Sequence, residues 1–167
     1  MSRTIPANES ELQAFLMPKI EIIVQNILDN LKYWNKREID WRVYNQGHPK
    51  EYQRTYEFRD DAWDGRITDV SKDTVTGEFE YLPNRITTVE PGVHASIFSD
   101  YGELDDIRPY LAEIIYEGLA GHIFGTGFWT NGRDAWTELL RIAKVDGSLM
   151  RRWITAGARK AGLLIEW

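Results

Sequence analysis

The sequence predicts an α+β fold, and three observations carry that expectation. Residues 9–36 repeat apolar side chains at intervals of three and four. The middle of the chain alternates apolar and polar residues between turn clusters, and the last third returns to helical spacing. At 167 residues the chain is the size of one domain with a core that needs no disulfide or metal. The expectation is therefore a single α+β domain over 1–167. About four to five short antiparallel strands lie between a long N-terminal helix and C-terminal helices, with a flexible arm over 1–17 and a tail over 162–167.

The first helix reads from the stripe Leu12, Phe15, Leu16, Ile20, Ile23, Ile27, Leu31 and Trp34. Asn8 or Ser10 can cap it, and Glu9 and Glu11 suit the positive end of its dipole. Pro18 interrupts the pattern, which predicts a short arm before it and a main helix to about Tyr33. Its apolar stripe is expected on a sheet or on another subunit.

Ile39, Trp41 and Val43 alternate and read as a short strand that ends in the turn cluster Asn45-Gln46-Gly47-His48-Pro49. Next, Tyr52, Arg54, Tyr56 and Phe58 occupy one parity of a strand-like run from Tyr52 to Asp60, with Gln53, Thr55, Glu57 and Arg59 on the other. Such a strip can stack a sugar or base, form a core strand, or dock a neighbouring subunit. A core strand is favoured, because three rings packed on the first helix contribute several kcal/mol at ~25 cal/mol per Å². Arg54 shares their parity and can lay its stem on apolar surface while its head reaches a carboxylate.

Arg66 to Val70, a polar turn at Lys72-Asp73, and Thr76 to Leu82 read as a hairpin, and Val93 to Ser99 as a further strand. Ile107, Leu111, Ile114, Ile115 and Leu119 then mark an amphipathic helix with Gly121 as its C-cap. Trp136, Leu139, Leu140 and Ala143 mark a second helix. Gly147 and Ser148 open a third, with Leu149, Trp153, Ile154 and Ala161 inward. The run "LLIEW" is expected as a short strand or tail.

Seven tryptophans and eight tyrosines are many for this length and raise the weight of an interface protein. There is no cysteine, hence no disulfide framework or thiolate zinc site. The first residues lack an apolar secretory segment and no apolar run reaches 18 residues, so a cytosolic or particle-borne chain is expected, without a membrane role. Net charge is −6, with residues 1–132 at −9 and residues 133–167 at +3. That balance argues against a general nucleic-acid binder and fits head-to-tail self-association, basic patch to acidic face. Ordinary scatter of surface charge accounts for it equally well.

No convincing catalytic centre emerges. His48, His94 and His122 lack partners at metal-ligand spacing. Asp60, Asp61 and Asp64 beside Trp63 have the residue types of a sugar-cleaving site, as do Asp105 and Asp106, but strand ends and helix starts attract carboxylates anyway. The run "GHIFGTGFWTNG" is glycine-dense yet lacks the G-K-[ST] ending of a phosphate loop, and G-x-S-x-G is absent. Its Phe124, Phe128 and Trp129 call for a covering partner surface.

Three features in order carry a resemblance: Pro49-x-x-Tyr52-x-Arg54-Thr55 after the first helix and strand, Ile114 to Gly121 as "I-x-x-x-G-x-x-G", and a last helix closing at Gly162. This order resembles the small neck, head–tail joining and tail-completion proteins of tailed bacteriophages. The resemblance implies a twisted antiparallel sheet flanked by helices, assembled as a homo-oligomeric ring between portal or adaptor and tail-tube or terminator proteins. It implies no catalysis, cofactor or metal. Pro49, Tyr52, Arg54 and Thr55 would shape the segment after the first helix, while Gly118 and Gly121 would permit close packing. The aromatic loop Phe124 to Trp129 departs from the pattern and leaves the position within the neck open.

Interface residues are thus expected at Tyr52, Arg54, Tyr56, Phe124, Phe128, Trp129, Arg151 and Arg152. Arg151 and Arg152 either touch DNA passing through a lumen or are solvated helix charges. Two other functions compete: a carbohydrate-binding or carbohydrate-active module using Trp63, Trp129, Asp60, Asp61 and Asp64, and an acidic inhibitor of a host enzyme.

Overall fold

Asn8 decides where the first helix starts. Its side-chain Oδ1 accepts the backbone N–H of Glu11 at 2.9 Å, and its amide donates back to the Glu11 carboxylate at 3.2 Å. One free helix-end donor is thereby satisfied, and the second bond pins the capping side chain in place. Helix α1 then runs without a break over Glu9–Ile39. In this computed structural model the described residues are 8–45, 56–87, 108–117, 132–144 and 147–167. Residues 9–17, expected in an arm before Pro18, belong to the helix, while residues 1–7 of that arm lie outside the described residues. Proline removes one hydrogen bond to the carbonyl four residues back, and here both Pro18 and Ala14 are exposed, so water can take that carbonyl.

The described residues are mainly helical, with a two-stranded antiparallel sheet of β1 (Trp63–Val70) and β2 (Val75–Tyr81). Ser71 N–H to the Thr74 carbonyl at 2.9 Å closes the hairpin. Four to five strands are not present among the described residues. The strand expected at Ile39–Val43 is the end of α1 followed by a π-helical turn, Asp40–Tyr44, in which Asn45 N–H reaches back to the Asp40 carbonyl at 2.8 Å. Ile39 and Val43 are buried four residues apart while Trp41 is 67% exposed, so the helical interval, not the alternation, places the core residues.

The strand expected to end at Asp60 closes as a single helical turn, α2 (Glu57–Asp60). Tyr56 precedes it with a left-handed backbone, φ 62°, which no extended run of L-residues can pass through. Residues 52–55 and the strand expected at Val93–Ser99 lie outside the described residues. So do Pro49, the three histidines, Asp105, Asp106, Gly118, Gly121 and the loop holding Phe124 to Trp129.

The remaining elements are short 3-10 turns at Pro83–Arg85 and Arg108–Tyr110, then α3 (Leu111–Glu117), α4 (Ala135–Lys144) and α5 (Gly147–Lys160). Asp134 caps α4 by accepting the Thr137 N–H at 2.6 Å. Gly162, at φ +73°, closes α5, with Leu163 N–H on the Ala158 carbonyl at 2.8 Å. The run "LLIEW" continues without strand pairing.

The chain divides into two compact units: Met1–Lys32 with Gly65–Phe79 and Ile142–Trp167, and Tyr33–Asp64 with Glu80–Arg141. In the first, α1 is approached by the hairpin and by α5. A Cβ at Gly65 would sit 2.9 Å from Leu28 Cβ, one at Gly77 2.8 Å from Val24 Cγ1, and one at Gly157 2.9 Å from the Ile23 Cα. Buried Asn26 donates to the Trp153 carbonyl at 2.8 Å and accepts from Lys160 Nζ at 2.6 Å. Lys19 Nζ reaches the Ala161 carbonyl at 2.7 Å.

In the second unit the hairpin base meets the turns and short helices. Leu82 N–H bonds the Ala62 carbonyl at 2.7 Å, the Tyr81 hydroxyl donates to the Arg108 carbonyl at 2.7 Å, and Arg133 N–H bonds the Ile115 carbonyl at 2.9 Å.

The Gly157 contact yields a stability prediction. Gly157→Ala adds helix propensity worth about 1 kcal/mol, but its methyl meets the Ile23 backbone, which cannot rotate away. The expected net loss is about 1–3 kcal/mol in urea denaturation. Gly147→Ala, with no atom near the added methyl, is expected to stay within about 0.5 kcal/mol of the parent.

Candidate interaction surface

The second unit sorts its rings into an enclosed set and an exposed set. Phe58, Trp63, Tyr81, Tyr116 and Trp136 form one cluster. Trp63 stacks on Trp136 with centroids 5.5 Å apart, and Phe58 lies 5.9 Å from Trp63 and 6.0 Å from Tyr116. Trp63 is 5% exposed, so its ring has no face to offer a sugar. Burial raises the Tyr116 phenol far above its ordinary value, with Asp134 adding to it. Phe58 joins this core from a helical turn, in place of the strand that the alternation predicts.

Arg59 ties the cluster's rim together. Its guanidinium donates to Asp40 at 2.6 Å and to both oxygens of Asp60 at 2.7 and 3.1 Å, and it lies 4.6 Å from the Tyr56 ring centroid. Lys36 pairs with the other side of Asp60. The Arg59 hydrogen bond is the main cause that holds the Asp60 carboxyl below its usual range, with Lys36 adding to it against partial burial. In return Arg59 is held still more firmly protonated, chiefly by Asp60. Asp64 pairs separately with Arg85 at 2.9 Å. Asp60 is thus held by two cations and Asp64 by one, which is the arrangement of a structural tie.

Outside the cluster, Tyr33, Trp41 and Tyr110 are each more than half exposed. Trp41 projects from the π-helical turn, where Arg42 is held by Glu38 at 2.9 Å and by Glu138 at 3.6 Å. Tyr56, expected both as a core-strand ring and as an interface residue, is 37% exposed and lies tilted against Tyr44 with centroids 4.8 Å apart. The left-handed backbone at Tyr56 turns its ring away from the side that Phe58 buries.

Arg151 and Arg152 stand exposed on α5, in the first unit. Tyr52, Arg54, Phe124, Phe128 and Trp129 lie outside the described residues. Sequence reasoning missed Tyr33, Trp41, Arg59, Tyr110 and Trp167. The interval from Ile39 to Val43 carried the signal for Trp41, since a ring between two core positions of a helix must face outward.

Among the described residues no three histidine, cysteine or acidic side chains are grouped to hold a metal ion, and no helix is long and apolar enough to cross a membrane. Comparison with protein-family models, curated proteins and solved structures found no match to this chain.

The Asp60 shift sets a pH dependence. A carboxyl depressed in the fold contributes stability that is fully present above its unfolded value near pH 4 and is lost as pH falls through the lower folded value. The stability gap between the parent and Asp60→Asn is expected to be constant above about pH 5 and to narrow below about pH 4. Urea melts at a series of pH values check this; a gap that widens on acidification refutes the tie.

Proposed function

We propose that this chain is a structural virion protein of a tailed bacteriophage, acting at the head–tail junction by ring self-assembly and by docking to portal or adaptor and tail proteins. The exposed rings Tyr33, Trp41 and Tyr110 carry the reading on the structural side, because amphipathic aromatics left outside a core supply interface anchors. The order of the Tyr52–Thr55 segment, the glycine-bearing helix and the Gly162 closure supports the particular setting. In this reading the chain performs no catalysis and sits in the virion after assembly in the host cytoplasm. The enclosed ring of Trp63 weighs against the carbohydrate alternative.

Electron microscopy of particles carrying a labelled copy of the chain tests the placement. Label at the neck is expected, and label confined to the capsid shell, tail tip or particle-free fraction overturns it. A single substitution probes the surface: Tyr110→Ser, at a ring 56% exposed, is expected to leave folding within about 0.5 kcal/mol. Assembly is expected to weaken by roughly 30-fold, the effect of losing one anchor worth about 2 kcal/mol. Sedimentation equilibrium alongside urea melts separates the two effects.

A further inference from the structure

The first unit carries two outward ridges that suit each other better than they suit themselves. On α1, Glu11, Phe15, Pro18, Ile22, Gln25 and Asp29 are all exposed and recur at alternating intervals of four and three, the spacing of a helix–helix seam. Phe15 and Ile22 are 49% and 42% exposed, while the same helix turns Asn26 and Leu28 inward. Carboxylates stand toward both ends of this ridge. A second α1 covers it poorly. Parallel pairing sets Glu11 on Glu11 and Asp29 on Asp29, and antiparallel pairing about the ridge centre sets Glu11 on Asp29. The matching surface is basic, with an apolar centre.

Helix α5 has such a surface. Its inner side holds Trp153, Gly157 and Ala158, and its outer side exposes Arg151, Arg152, Ala156 and Arg159. The helix has no acidic residue, and the three arginines form no ion pair among the described residues. The Trp167 indole donates to Thr155 Oγ1 at 2.9 Å, and its ring lies 5.4 Å from the Arg151 guanidinium, so an exposed aromatic sits beside the arginines.

We propose that the outer face of α5, with Trp167, docks on the α1 ridge of a second copy of this chain. Trp167 lies against Phe15 and Ile22, and the arginines face Glu11 and Asp29. The contact joins two different surfaces; with each copy using them on two different neighbours, it repeats head to tail and closes a ring or extends a filament. This rests on the ring reading above and names its seam.

The cysteine-free chain makes the test direct. Ile22→Cys and Ala156→Cys variants are oxidised separately and as a mixture. A disulfide-linked dimer at least tenfold more abundant in the mixture than in either variant alone is expected. Equal linking by Ile22→Cys alone overturns the seam. So does an unlinked mixture that sedimentation shows to be self-associated, and that result leaves the ring reading standing. An unlinked mixture that never self-associates defeats both. Charge reversal supplies a second readout: Arg152→Glu is expected to weaken association at least tenfold, and mixing it with Asp29→Arg to recover part of that loss. Recovery would not occur if Arg152→Glu acted by misfolding.

Discussion

Three glycines decide how closely the rest of the first unit can approach α1. A helix of 31 residues is about 46 Å long, and its own hydrogen bonds do not hold it against water without packing along its length. Gly65 and Gly77 let the hairpin close on Val24 and Leu28, and Gly157 lets α5 close on the Ile23 backbone. Short approach removes water from around Asn26, which is tolerable because both ends of its amide are satisfied, by the Trp153 carbonyl and by Lys160. Close packing and polar pairing depend on each other here. A larger residue at position 157 would displace the carbonyl that Asn26 needs.

The second unit solves a different problem with different chemistry. Its helices are short, so an aromatic cluster supplies the apolar area that long helices supply elsewhere. Phe58, Trp63, Tyr81, Tyr116 and Trp136 come from five separate elements or turns, and ring-to-ring contact makes them one body. Arg59 secures the margin by joining the π-helical turn at Asp40 to α2 at Asp60. Asp40, Asp60 and Asp64 are committed to cations, and Trp63 is committed to its neighbours. Among the described residues of this unit, Tyr33, Trp41 and Tyr110 are the rings more than half exposed.

That division between enclosed and outward aromatics is the link from packing to function. Tyr33 and Trp41 in one unit, and Phe15, Ile22 and Trp167 in the other, are apolar groups with water on one side. Singly they need no explanation. At seam spacing on α1, with carboxylates toward both ends, Phe15 and Ile22 form a surface with a chemical preference. The arginines of α5 give the same unit the opposite preference. The basic excess of residues 133–167 thus includes three arginines on one exposed helix face, Arg151, Arg152 and Arg159.

The helices were legible from the sequence because a repeat of three and four over many residues has few other solutions: α1, α4 and α5 stand where their apolar spacing sets them, and the hairpin stands where its turn at Lys72-Asp73 sets it. The Gly162 closure was legible for the same local reason. Short alternating runs were not. Ile39-Trp41-Val43 and Tyr56-Phe58 fit a strand and a helical turn equally well over so few residues. The choice fell to contacts from distant parts of the chain, namely Arg59 reaching Asp40 and Phe58 entering a cluster with Tyr116 and Trp136. Which rings are enclosed and which face outward was likewise beyond local pattern. The sequence alone determined how many aromatics there are and where helices begin; tertiary packing decided which of them are spent on the core, because burial is a property of what arrives from elsewhere in the chain.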